Sequence, residues 1–93
     1  MDQDDELTPF GEHVRERFDH WFVQQRTAGR DFTPEQVRWL AMIRDHIAAS
    51  VEMTLEDLDY APFSEEGGLG RAKRIFGDGL EPLLEELTEV LAA

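Results

Sequence analysis

Gly67, Gly68 and Gly70, with Arg71, Lys73 and Arg74 close behind, are the residues of this 93-residue chain best suited by type and spacing to hold an anion. Glycines leading into a helix can leave backbone N–H groups open to a phosphate or carboxylate, and the basic side chains would add full positive charge. The spacing nonetheless departs from both familiar phosphate loops. A Walker loop needs G-x-x-x-x-G-K and then Ser or Thr, so that lysine neutralises the phosphates and the hydroxyl holds the metal. Here Lys73 follows Gly70 by three positions and is itself followed by Arg74. The dinucleotide pattern G-x-G-x-x-G finds Gly68 and Gly70 but meets lysine at position 73, with no strand in front. Glu65 and Glu66 also oppose an incoming anion. The plainer expectation is structural: Ser64 caps the turn, and the glycines let two backbones approach. Leu69, Ala72, Ile75 and Phe76 then form a buried face, and Gly77 stops the helix.

Other chemistry finds less support. His13 and His20 are seven residues apart with Glu16 between them, half of a metal site if they share a helix face, but zinc wants third and fourth ligands held rigidly. Carboxylates are plentiful, yet acid–base work needs two of them in contrasting environments within a cleft, and no pair stands out. Ser50 and Ser64 have no base close in sequence to activate them. Tyr60 and Phe63 flank Pro62, and aromatic residues beside a proline are expected to plug the end of a core rather than stack on a ligand.

The elements that would position these residues are helical. In "TPFGEHVRERFDHWFVQQRTAG", Thr8 can cap and Pro9 suits the first helical position. Phe10, Val14, Phe18, Trp21 and Phe22 recur at helical spacing, with an end near Gly29. A second helix opens at Thr33 with Pro34 at its first position and Gln36 completing a capping box. Val37, Leu40, Ile43 or Arg44, Ile47 and Val51 follow the helical period, with Trp39 and Met42 widening the apolar arc, as a central helix packed on two sides would require. Thr54 followed by Asp57 predicts a further helix of one or two turns, ended by Pro62, which pushes Ala61 toward an extended conformation. Finally, Leu80, Leu83, Leu84, Leu87, Val90 and Leu91 form one stripe of a C-terminal amphipathic helix. The stripe is too short for a convincing coiled coil, so packing within the chain is expected over a homodimer. No segment alternates with period two. The pattern predicts an all-α domain, a single small bundle of four or five helices without a sheet, over residues 8–93, with residues 1–7 as a disordered tail or linker remnant.

Composition narrows the function classes. A chain of 93 residues buries only about 60 to 65% of its unfolded surface, which suits one core and is too little for a layered α/β nucleotide enzyme. Nine Lys and Arg against 21 Asp and Glu give a net charge of −12, which repels a phosphate backbone, so direct nucleic-acid binding by the isolated chain is not expected. The absence of cysteine excludes disulfides and thiolate zinc sites and suits a reducing cytoplasm. No apolar run is long enough to span a membrane, and the acidic "MDQDDELTPF" is unlike a signal peptide.

Three strings carry a family resemblance: "FTPEQVRWLAMIRDHIAASV" (32–51), "DLDYAPF" (57–63) and "GGLGRAKRIFGDGLEPLLEELTEVLAA" (67–93), with "RFDHWFVQQRTAGRDFTPEQ" extending it more loosely toward residue 10. Together they resemble the C-terminal domain of the R subunit of type I restriction endonucleases. The resemblance implies a helical domain that helps dock the R subunit onto the methyltransferase core. It also implies that nuclease and ATP-driven motor activities, with their ATP and magnesium, reside in other domains of the parent subunit. This chain would then be a non-enzymatic assembly module without a cofactor of its own. Its expected partners are the methyltransferase (M) subunit and the rest of its own R subunit. The residues singled out as family motif and candidate contacts are Gly67, Gly68, Gly70, Arg71, Lys73, Arg74, Tyr60 and Phe63. The alternative is a free-standing acidic interaction protein, either a DNA mimic or a homodimer joined through the leucine stripe.

Overall fold

The structure, a computed structural model, describes residues 9–50 and 52–92. Its elements are α1 (Pro9–Thr27), α2 (Pro34–Ser50), α3 (Gly68–Phe76) and α4 (Leu80–Ala92), with 3-10 turns at Leu55–Asp59, Ser64–Glu66 and Gly77–Gly79. Among the described residues there is no strand, so the all-α expectation holds. No helix among them is long and apolar enough to cross a membrane. The expected Thr8 cap, the acidic segment before it and Val51 lie outside the described residues.

Local signals account for most helix ends. At the start of α2 the Gln36 N–H donates to Thr33 Oγ1 at 3.1 Å, and the Thr33 N–H donates to Gln36 Oε1 at 2.9 Å. Two of the N–H groups left over at a helix start are thereby satisfied reciprocally. Asp57 does half of the same job for its 3-10 turn, accepting from the Thr54 N–H at 2.8 Å. The α1 end is closed by backbone bonds, the Gly29 N–H donating to the Arg26 carbonyl at 3.0 Å and the Arg30 N–H to that of Gln25 at 2.8 Å.

Helices α1, α2 and α4 pack on one another around a single core, and α3 with the turn at 55–59 crosses against them. Val14, Phe18 and Trp21 come from α1, and Trp39, Leu40, Ile43 and Ile47 from α2. The α4 stripe adds Leu80, Leu83, Leu84, Leu87 and Leu91, and Met53, Leu58, Phe63 and Ala72 close the end. Each helix contributes a stripe and keeps its charges outside, the arrangement that the 3.6-residue period favours. All five of these α4 leucines are buried inside the chain, as the expectation of internal packing required. The α4 leucine stripe is thus used within the chain.

Two packing expectations are corrected. Val37 is exposed, because the buried arc of α2 is centred on Leu40, Ile43 and Ile47, and a residue one turn earlier falls off its edge. Trp39 widens the arc as expected, buried and packed on Phe63 with ring centroids 5.8 Å apart. The Pro62 loop divides its aromatic pair. Phe63 is fully buried and plugs the core, whereas Tyr60 stays 67% exposed and plugs nothing.

Candidate functional site

Helix α3 is only nine residues long, and its two sides differ sharply. Gly68 and Ala72 are buried, and Leu69, Ile75 and Phe76 are half-buried against the core. Successive residues turn by about 100°, so Gly70 and Arg74 fall opposite that side, flanked by Arg71 and Lys73. All four are exposed. In a chain of charge −12, the outward face of α3 is therefore basic, with a bare glycine near its middle.

The approach to this helix is built by backbone rather than by the expected cap. Ser64 begins a 3-10 turn, and no side-chain bond caps either that turn or α3. The Ser64 N–H donates to the Tyr60 carbonyl at 2.9 Å and the Gly68 N–H to the Phe63 carbonyl at 2.8 Å, closing the turn without the hydroxyl. Gly67 then reverses the chain with φ +112°, and a Cβ there would sit 2.5 Å from Arg71 Cβ. Only glycine fits this position without rearrangement.

Cross-links to α2 fix the orientation of α3. Gln36 Nε2 donates to the Ile75 carbonyl at 2.9 Å, and Arg71 Nε donates to Glu35 Oε2 at 3.0 Å. Beside them Arg38 pairs with Glu66 at 2.7 Å. Lys73 and Arg74 differ from their neighbours: among the described residues neither side chain makes an ion pair or hydrogen bond. Lys73 borders a recess that it shares with Leu55, Gly77, Asp78 and Glu81.

The structure thus gathers Gly70, Arg71, Lys73 and Arg74 onto one surface. Gly67 lies at its edge, while Gly68 and Phe63 are buried and offer a partner no side-chain surface. Tyr60 is exposed next to Asp59, whose carboxylate lies near Gly68. Sequence reasoning did not anticipate the pairing of Arg71 and Arg38 with Glu35 and Glu66, because those partners lie 36 and 28 residues away along the chain.

The histidine pair resolves differently. His13 and His20 line one groove of about 260 Å³ with Glu16, Arg17 and Trp21, on the side where α1 meets α4. No three His, Asp or Glu side chains among the described residues are grouped so as to hold a metal. The groove is braced instead by Trp21 Nε1 donating to Glu86 at 2.8 Å and Arg17 donating to the Val90 carbonyl at 3.3 Å. His46 lies elsewhere, 3.5 Å from Asp57 and edge-on to Phe63.

Fold and surface together define a small helical domain with one outward basic helix face. The family model described as "EcoEI R protein C-terminal" matches residues 1–92, and the chain belongs to that family, the C-terminal domain of the type I restriction enzyme R protein. No curated protein and no solved structure matches it.

Proposed function

We propose that this chain is a non-catalytic assembly module that docks the ATP-dependent translocating and cleaving R subunit onto the methyltransferase and specificity core of a cytoplasmic type I restriction complex. The observation that carries this reading is the closure of the core within one short chain. Most apolar side chains of three helices are consumed internally, leaving largely polar outer faces on a compact unit of a family described as the C-terminal part of an R protein. A unit of this kind adds a surface rather than an active site. The chemistry of DNA restriction, with its ATP and magnesium, is assigned to other domains of the parent subunit. The partners are the M subunit and the remainder of the R subunit. An interface of ordinary size needs roughly 800 Å² on each side, which one face of such a domain supplies.

The net charge of −12 steers encounter, so association with a basic region of the core should slow as salt is raised. The test is to titrate the purified chain into the methyltransferase core and to compare an R subunit lacking residues 8–93. Saturable binding by the chain and failed assembly of the truncated subunit are the expected results. An assembled truncated complex would reject the docking role.

A second reading is favoured by one feature, the exposed Glu81, Glu85 and Glu89 along α4. As a DNA mimic, the chain would compete with duplex DNA for a basic groove on another protein, and a competition titration separates the two readings.

A further inference from the structure

We infer that the outward face of α3, centred on Gly70 and bounded by Arg71, Lys73 and Arg74, is a docking surface for an acidic segment of a partner protein. The inference rests on the assembly reading above and names one contact within that interface and the chemistry it meets, distinct from the acidic surface that is steered to a basic region of the core.

The first observation is a glycine that the fold does not need. Gly67 has φ +112°, which a side chain rarely adopts. Gly70 has no such reason to be glycine: it is the third residue of α3 and has no positive φ, it is exposed, and a Cβ built on it meets nothing within 4 Å. Glycine in a helix is less favourable than alanine, because it gives up more backbone freedom on folding. What it provides is a flat patch where another backbone can come close to the helix.

The second observation is the state of the cations around that patch. Carboxylates outnumber basic side chains by 21 to 9, and Arg15, Arg30, Arg38, Arg44 and Arg71 each lie within 4.0 Å of one. Among the described residues Arg17, Arg26, Lys73 and Arg74 do not, and of these Lys73 and Arg74 stand together on one helix, which the Gln36 and Glu35 links hold firmly. Two unpaired cations on a firmly held helix, beside a bare backbone, form a complementary seat for carboxylates, and a guanidinium can hold one through two parallel hydrogen bonds.

The charge pattern selects protein over nucleic acid. Affinity for a phosphate backbone grows with the number of phosphates neutralised, and only two unpaired cations are offered here. Glu65, Glu66, Asp78 and Glu81 border the same region and would face any long run of phosphates, whereas a short acidic segment of a protein can be placed between them.

The experiment uses the full R subunit carrying this chain, its methyltransferase core, and three variants. The double reversal Lys73→Glu with Arg74→Glu should weaken assembly at least about tenfold, since like charges brought together across an interface are strongly unfavourable. It should leave the helical circular dichroism signal in place and lower the Tm of the chain only slightly, through the lost charge complementarity at the α3 C-terminus and the repulsion from Asp78 and Glu81. Gly70→Gln should raise the Tm, because glutamine is the better helix former, and yet weaken assembly, because a side chain now fills the bare patch. Opposite signs in stability and binding separate a contact role from a structural one. The third variant lacks residues 8–93. If it fails to assemble while the two face variants assemble like the natural chain, the α3 surface is not the contact and the assembly reading survives. If it assembles normally, both fall. A loss on charge reversal that occurs only with duplex DNA present would make the face a nucleic-acid contact and overturn the acidic-protein assignment.

Discussion

Helices α3 and α4 are neighbours in sequence, separated by the 3-10 turn at Gly77–Gly79, and they use amphipathicity for opposite ends. Helix α4 buries five leucines and shows an acidic outer face with Glu81, Glu85 and Glu89 exposed. Helix α3 fully buries only Gly68 and Ala72 and turns Gly70, Arg71, Lys73 and Arg74 outward. The apolar area committed by α4 makes it a structural member of the core. The buried Gly68 and Ala72 of α3, with Leu69, Ile75 and Phe76 half-buried beside them, commit less. Hydrophobic free energy scales with area removed from water, which is why two adjacent helices of one stripe pattern can differ so much in what they contribute.

Substitutions should break this comparison in a definite order. The largest effect belongs to α4: Leu87→Ala, at a fully buried position, should destabilise the chain by about 2–5 kcal/mol, read as a lower denaturant midpoint with an unchanged slope. Next comes the hinge into α3. Gly67→Ala places a side chain at φ +112° against Arg71 and should cost more than about 1 kcal/mol, again by chemical denaturation. A comparable or smaller loss, about 0.5–2 kcal/mol, is expected from Thr33→Ala, which removes the hydroxyl that accepts from the Gln36 N–H. At Gly70 the sign reverses, and Gly70→Ala should stabilise the chain by about 0.5–1 kcal/mol, seen as a raised Tm. The smallest change, within about 0.5 kcal/mol, is expected for Arg74→Ala, whose side chain has no bonded partner among the described residues. If Arg74→Ala destabilised the chain as much as Leu87→Ala, the division of labour between the two helices would be wrong.

Much of this architecture was legible because its causes are local. Pro34 and the Thr33–Gln36 box announce the start of α2 within four residues, and the hydrogen bonds found there are those the residue types demand. The α4 stripe is equally plain, since leucines at helical spacing with glutamates between them have one favourable way to lie. The α3 region was legible only in part. Its glycines and basic residues marked an unusual segment, but Ser64 looked like a cap and plays no such part, because the chain closes that turn with backbone carbonyls. Tyr60 and Phe63 were indistinguishable by type and setting, and only packing against Trp39 and His46 selects Phe63 for the core.

Sequence alone therefore determined the helical class, the caps and stripes, and the family, because those depend on residue type and spacing along one segment. Tertiary structure alone decided that Val37 faces solvent, that Phe63 and not Tyr60 enters the core, and that among the described residues Arg71 and Arg38 are paired while Lys73 and Arg74 are not. The helical period specifies what a face contains, but not what stands opposite it. Carboxylates that reach those arginines across 28 and 36 residues are brought there by the packing of whole helices.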